Sequence, residues 1–188
     1  MTVNVRKAKP SDAEKAVPLI VEAIGDIAKR LTGETEWDQV EETLVKLFHQ
    51  NDNRHSYRFT YIAEVNNEVG GIMVIYPGDV APELDDNLME FLKEKDAAEI
   101  MIDQEALPGE MYIDTICVDP QFRGHGIGTA LLQFADTVAK DFKVKTVSLN
   151  VETEKEAAIR LYKRVGFTIQ SPWTIIGEPF HHMVKKLQ

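Results

Sequence analysis

Residues 111–142, MYIDTICVDPQFRGHGIGTALLQFADTVAKDF, constrain the fold more than any other stretch of this chain. Met111 to Val118 is dense in β-branched and aromatic residues, which predicts a strand. Ile127, Leu131, Phe134, Val138 and Phe142 recur at helical spacing and predict a long amphipathic helix. Between the two lie Gly124, Gly126 and Gly128, so the strand passes into the helix through a loop almost free of side chains. A helix begins with backbone N–H groups that have no partner inside it, and its peptide dipoles add roughly half a positive charge there. Without Cβ atoms in the way, an anion can approach those amides closely. Arg123 adds a planar cation suited to phosphate oxygens. The loop therefore calls for a phosphate or pyrophosphate.

The rest of the chain supplies a sheet and its cover. Val3 and Val5 alternate with polar neighbours ahead of Pro10, a short strand. Ser11 and Glu14, three residues apart in SDAE, predict a helix start with Ser11 as N-cap. Val17, Ile20, Ile24, Ile27 and Leu31 follow as one apolar stripe, closed by Gly33. A second helix is expected over Trp37 to His49, with Trp37, Val40, Leu44 and Phe48 inward, and NDNRHS after it is a loop. YRFTYIAEV, NNE and VGGIMVIYPG read as a hairpin ended by Pro77-Gly78. From Val80 to Glu110 the chain is acidic, and Leu84, Leu88, Phe91 and Leu92 predict at least one helix inserted between strands. KTVSLNV is a further strand, KEAAIRLYKRVGF a helix stopped at Gly166, and TIQ and HHMVKKL are closing strands. This order predicts an α/β or α+β fold with a mixed sheet, as a single domain over residues 1–188 with an acidic helical insertion at about 80–110.

The formal net charge of −10 disfavours nucleic acid, whose phosphates require a basic face. The acids between Glu83 and Glu110 have two readings: a solvated helical face, or a rim that steers a cationic small molecule. No run approaches the roughly 20 apolar residues that cross a bilayer, and MTVNVRKAKPSDAE has no leader pattern, so the cytoplasm is the expected compartment. Cys117 is the single cysteine, which excludes an internal disulfide and a cysteine-based zinc site; no metal is expected.

A nucleoside-triphosphate loop would place a lysine after Gly128, and there is none. A dinucleotide loop reads G-x-G-x-x-G directly at the strand end, whereas here the spacing is G-x-G-x-G with DPQFR intervening. What fits is R-x-x-G-x-G, met by Arg123, Gly126 and Gly128. With the downstream SLNV and AAIRLYKRVGF, the stretch YIDTICVDPQFRGHGIGTALL resembles the acetyl-CoA motif of the GNAT superfamily, the Gcn5-related N-acetyltransferases. The resemblance is close over residues 111–167 and implies a mixed, mostly antiparallel sheet of the acyl-CoA N-acyltransferase type.

It also implies roles. The amides of Arg123, Gly124, His125, Gly126, Ile127, Gly128 and Thr129 would hold the pyrophosphate of acetyl-CoA; His125 contributes either its backbone alone or its side chain. The strand ending at Cys117 and Val118 would splay from its neighbour and pair with the pantetheine arm. The Val118 amide would then polarise the thioester carbonyl, as donors do where negative charge develops in acyl transfer. Tyr162 matches the family's general acid, which protonates the departing thiolate; its other reading is plain core, on the stripe of Ala158, Leu161 and Val165. Lys155 stands where many relatives carry an asparagine. Strand alternation puts Tyr112, Asp114, Ile116 and Val118 on one face. Asp114, a carboxylate in an apolar run, is the catalytic base if burial raises its pKa, or else a capped core carboxylate; Glu110 is a weaker base. His181 and His182 face opposite ways on the last strand. Cys117, mid-strand, reads as a small hydrophobe rather than a nucleophile.

The expected function is transfer of acetyl from acetyl-CoA to a primary amine, small molecule or peptide, by direct attack in a ternary complex. The alternative is an acyl-CoA-binding or sensing module without turnover. Neither nucleic acid nor membrane is an expected partner. Exposed strand edges or Trp173 in SPWTIIG leave room for a homodimer.

Overall fold

The computed structural model describes residues 2–95 and 101–188. Its strands are β1 (Val3–Lys7), β2 (Thr60–Val65), β3 (Glu68–Pro77), β4 (Met111–Val118), β5 (Thr146–Glu152), β6 (Thr168–Ile175) and β7 (Glu178–Lys186). The helices are α1 (Ala13–Ile24), α2 (Ile27–Thr32), α3 (Trp37–His49), α4 (Ala81–Glu94), α5 (Ile127–Asp141) and α6 (Glu156–Arg164). One sheet joins all seven strands in the order β1-β2-β3-β4-β5-β7-β6. Every neighbouring pair is antiparallel except β4 and β5. The sheet is thus mixed and mostly antiparallel, with helices on both faces.

The hairpin turn is where the asparagines stand: Asn66 and Asn67 both take positive φ, at 52° and 66°, the conformation a tight two-residue turn requires. Ile127, Leu131 and Val138 of α5 bury on one face against Met73, Ile113 and Val147, and Ile159 and Phe167 join them. On the other face α1 and α3 press Val17, Ile20, Leu44 and Phe48 onto Ile62 and Ile72. Gly71 lets α5 come close: a Cβ there would meet Ile127 Cγ2 and the Cys117 carbonyl oxygen, each at 2.9 Å. No described helix is long and apolar enough to cross a membrane.

Several local expectations are corrected. Ser11 caps nothing; the chain enters α1 through a 3-10 turn over Pro10–Asp12, and the Asp12 carboxylate accepts the Lys9 amide at 2.7 Å while pairing with Arg6. The stripe from Val17 to Leu31 is two helices, broken at Gly25 with φ 54°. Trp37 is 42% exposed, with the Lys29 ammonium 4.5 Å from its ring centroid, and Phe142 is 57% exposed at the end of α5. In the acidic insertion Leu84, Leu88 and Leu92 of α4 are buried, whereas Asp96 and Glu99 lie outside the described residues.

Candidate active site

The parallel pair β4 and β5 is joined only from Met111 opposite Val147 to Ile113 opposite Leu149. Both strands run on, β4 to Val118 and β5 to Glu152, so beyond Ile113 they diverge. β4 stays paired to β3 as far as Val118 opposite Gly71. The opposite edge of residues 114–118 is therefore left without a strand. The Asp119 amide reaches Gly70 O at 3.0 Å on the β3 side. Successive amides point to opposite edges, so the Val118 N–H faces the gap. A cavity fills this gap, bounded by Arg54, Glu105, Asp114, Asn150 and Tyr162.

The glycine loop closes one end. Gly126 is the N-cap of α5, and both it and Gly124 have φ 79°, which side chains disfavour. A Cβ at either position would meet nothing within 4 Å, so the space beside them is open. Among the described residues, no acceptor takes the amides of Gly124, His125, Gly126, Ile127, Gly128 or Thr129; the first amide that turns inward is Ala130, onto Gly126 O at 2.9 Å. Arg123 is exposed and paired with Glu22 at 2.5 Å, its Nε also reaching Val118 O at 3.3 Å. The His125 ring turns back to Phe122 O at 3.1 Å. Cys117 is buried, and desolvation pushes its thiol up to about 11, so it stays protonated.

Asp114 sits on a bulge. Thr115 pairs with Val74 and Ile113 with Ile75, so Asp114 has no partner across the ladder. The extra residue breaks the alternation. Ile116 and Val118 pack with the α5 face, opposite to Tyr112, and the single face expected for Tyr112, Asp114, Ile116 and Val118 is not formed.

The partner of Asp114 is Arg54, from the loop NDNRHS. Its guanidinium gives Nε at 2.9 Å and Nη2 at 2.5 Å to Asp114 Oδ2; Nη2 also lies 2.9 Å from Glu105, and Nη1 lies 3.5 Å from Asp85. Tyr76 donates to Asp114 Oδ2 at 2.6 Å and Thr115 to Oδ1 at 2.8 Å. Burial alone would raise the Asp114 pKa, but the Arg54 charge and these hydrogen bonds outweigh it and hold it below the usual carboxylate range. The rise expected from the sequence is reversed. Burial instead raises Glu105, with the Asp114 charge adding to the effect, and lifts Asp85 to about 6.

The loop buries its arginine because its polar side chains satisfy its backbone. Asn53 donates to Leu47 O and accepts the His55 amide, each at 2.9 Å, while Ser56 bonds Gln50 O and accepts the Arg58 amide. Read as a loop, this segment gives no hint of Arg54. Glu105 was hidden among the acids of the insertion.

Tyr162 lines the gap from α6, its ring edge-on to Phe167 at 6.1 Å. Its hydroxyl makes no hydrogen bond among the described residues, and burial pushes its pKa up to about 12, so the phenol keeps its proton. Lys155 pairs with Glu152 at 3.0 Å. His182 is fully buried, bridging Asn150 at 2.7 Å and Glu110 at 3.0 Å. Burial works against the charge of Glu110, but the bond from His182 leaves its pKa lowered. Trp173 stacks on His182 and donates to Gln104 O at 3.0 Å, contacts within its own chain. A wider cleft of about 550 Å³ adjoins the gap between the α1–α2 and β6–β7 turns. Glu22, Asp26, Glu152, Glu154 and Glu178 line it, against Arg30 and Lys155.

The sequence model of the acetyltransferase (GNAT) family matches residues 24–167. The crystal structure of an acetyltransferase superposes with a TM-score of 0.83 at 32% identity, covering 98% of this chain and 100% of that one. A peptidyl-lysine N-acetyltransferase of Salmonella typhimurium is 30% identical over 52% of this chain and 69% of its own length. A spermine/spermidine N(1)-acetyltransferase of Bacillus subtilis is 30% identical over 45% of this chain and 55% of its own. Matches to two other curated relatives span only 24% and 22% of their lengths. With most of its length matched, and with the splayed parallel pair and glycine loop in place, the chain belongs to the acetyltransferase (GNAT) family.

Proposed function

We propose that this chain transfers an acetyl group from acetyl-CoA to a cationic primary amine. The observation that carries the reading is the row of unpaired amides from Gly124 to Thr129 beside the gap where β4 leaves β5. The amides and the α5 dipole bind the pyrophosphate of the coenzyme. Its pantetheine arm lies along the free edge of residues 114–118 as an added strand. The Val118 amide donates to the thioester oxygen as negative charge develops there. Arg123, on the exposed side of the loop, exchanges Glu22 for a phosphate.

Tyr162 gives its proton to the departing thiolate, a role suited to a phenol held protonated by burial. Asp114 acts through Arg54, which it holds at the inner end of the gap. The amine enters by the wider cleft, whose carboxylates favour a positively charged acceptor. Small polyamines and lysine side chains both meet that description, as the two curated relatives illustrate.

The test is a panel of amines incubated with acetyl-CoA, with free thiol followed over time. Turnover with diamines or polyamines, or with lysine peptides, and none with neutral or acidic amines supports the proposal. Coenzyme binding without thiol release from any amine contradicts it.

A further inference from the structure

We infer that Glu105, not Asp114, takes the proton from the acceptor amine. The inference rests on the acetyl-transfer reading above and adds a catalytic residue to it.

A general base needs a lone pair that is free and within reach of the substrate. Asp114 is already engaged at both carboxylate oxygens. Oδ2 accepts Arg54 Nε, Arg54 Nη2 and the Tyr76 hydroxyl, and Oδ1 accepts the Thr115 hydroxyl. Its side chain is 5% exposed. Glu105 is arranged otherwise. Oε2 accepts the Tyr112 hydroxyl at 2.9 Å and lies 2.9 Å from Arg54 Nη2, while Oε1 accepts nothing among the described residues. Its side chain is 16% exposed, and it lines the cavity across which Tyr162 stands. The residue is also held in place, because Asn150 Nδ2 donates to its main-chain oxygen at 2.9 Å and Asn150 is itself fixed by His182.

The surrounding charge favours a proton here. Facing Glu105 are Arg54 from the loop after α3, Asp85 from α4, Tyr76 from β3, and Tyr112 and Asp114 from β4. Three carboxylates against one guanidinium leave an excess of negative charge, which an arriving ammonium relieves. Burial and the Asp114 charge raise the Glu105 pKa toward the range in which a carboxylate is an effective base.

The step balances. The ammonium gives one proton to Glu105 Oε1, and the freed nitrogen lone pair attacks the thioester carbon. The new C–N bond forms, the C–S bond breaks, and the thiolate takes the Tyr162 proton. The nitrogen loses its second proton to the Tyr162 phenolate as it becomes an amide. The proton on Glu105 leaves to water.

The test compares Glu105→Gln, Glu105→Asp and Asp114→Asn with wild type. Glu105→Gln removes one of the excess negative charges, so Arg54 keeps partners. Its kcat is expected to fall at least about 100-fold while the KM for acetyl-CoA is unchanged. The acidic limb of its kcat/KM profile for the amine should vanish. Glu105→Asp should keep that limb at reduced rate, and Asp114→Asn should keep it too. A Glu105→Gln rate within about threefold of wild type, or an acidic limb lost in Asp114→Asn but kept in Glu105→Gln, overturns the assignment. If Glu105→Gln loses thermal stabilisation by coenzyme A, Glu105→Asp decides alone: a flat acidic side overturns the assignment. Wild-type turnover in the same assay keeps the two readings apart, since its absence overturns acetyl transfer itself.

Discussion

Arg54 and Asp114 are joined twice, with Nε at 2.9 Å and Nη2 at 2.5 Å from one carboxylate oxygen, and both side chains are almost wholly buried. An arginine from the loop after α3 is thereby tied to the bulge of β4, which fixes the inner end of the cavity. A buried pair contributes little compared with an apolar pair, but removing Asp114 breaks the two short charge-assisted bonds to Arg54 and takes the ionised acceptor from the buried Tyr76 hydroxyl, even though Glu105 and Asp85 remain near the guanidinium.

Asp114→Asn is therefore expected to lower the unfolding free energy by about 3 kcal/mol, read from urea denaturation at pH 7. Asp114 has a lowered folded pKa, so its contribution is present above the unfolded value near 3.9 and is lost as pH falls through the folded one. The difference between variant and wild type should hold from pH 7 to 5 and shrink only in stronger acid. A loss under about 1 kcal/mol would remove the tie its importance.

Asp85 should behave in the opposite sense. Its folded pKa is raised to about 6 by burial, so the ionised form is disfavoured in the fold and the cost is relieved as pH falls from about 6 toward the unfolded value. Wild-type stability should gain over that interval, and Asp85→Asn should flatten the gain. An unchanged slope in the variant would assign it to other groups.

Tyr162→Phe is expected to cut kcat by roughly 10–1000-fold with coenzyme affinity intact. Because burial lifts the phenol to about 12, no alkaline limb from Tyr162 should appear below about pH 10. Undiminished turnover in the variant would return Tyr162 to the core stripe it shares with Leu161 and Val165.

Cys117 gives a clean test of direct attack. Its thiol is buried and pushed up to about 11, so no acetyl-cysteine should form. Cys117→Ala should keep turnover within about threefold, and mass spectrometry of wild type with acetyl-CoA alone should show no added acetyl. An acetylated enzyme would mean a two-step route.

The sequence made legible those parts of the fold that local periodicity controls. The stripe of Val40, Leu44 and Phe48 marks α3, and the run from Met111 to Val118 together with the following glycines marks β4, the loop and α5. The break at Gly25 escaped because Ile24 and Ile27 keep the apolar stripe in phase across it. The bulge escaped because Asp114 is a single letter in an unbroken strand pattern, and only pairing with Val74 and Ile75 reveals the extra residue. Arg54 escaped for a deeper reason. Asn53, Arg54, His55 and Ser56 are polar residues that read as a loop, and they are buried here because the Asn53 and Ser56 side chains satisfy nearby backbone groups and α4 and β4 bring carboxylates to the guanidinium. Glu105 likewise becomes distinct from its acidic neighbours only when the fold brings it to Arg54 and Tyr112.

The most direct test of the account is a crystal structure of the protein with coenzyme A bound. The diphosphate oxygens should lie about 3 Å from the amides of Gly124 to Thr129, with the pantetheine arm paired to residues 114–118 and its sulfur near the Tyr162 hydroxyl. A coenzyme bound elsewhere, with those amides left to water and the β4–β5 gap empty, would contradict it.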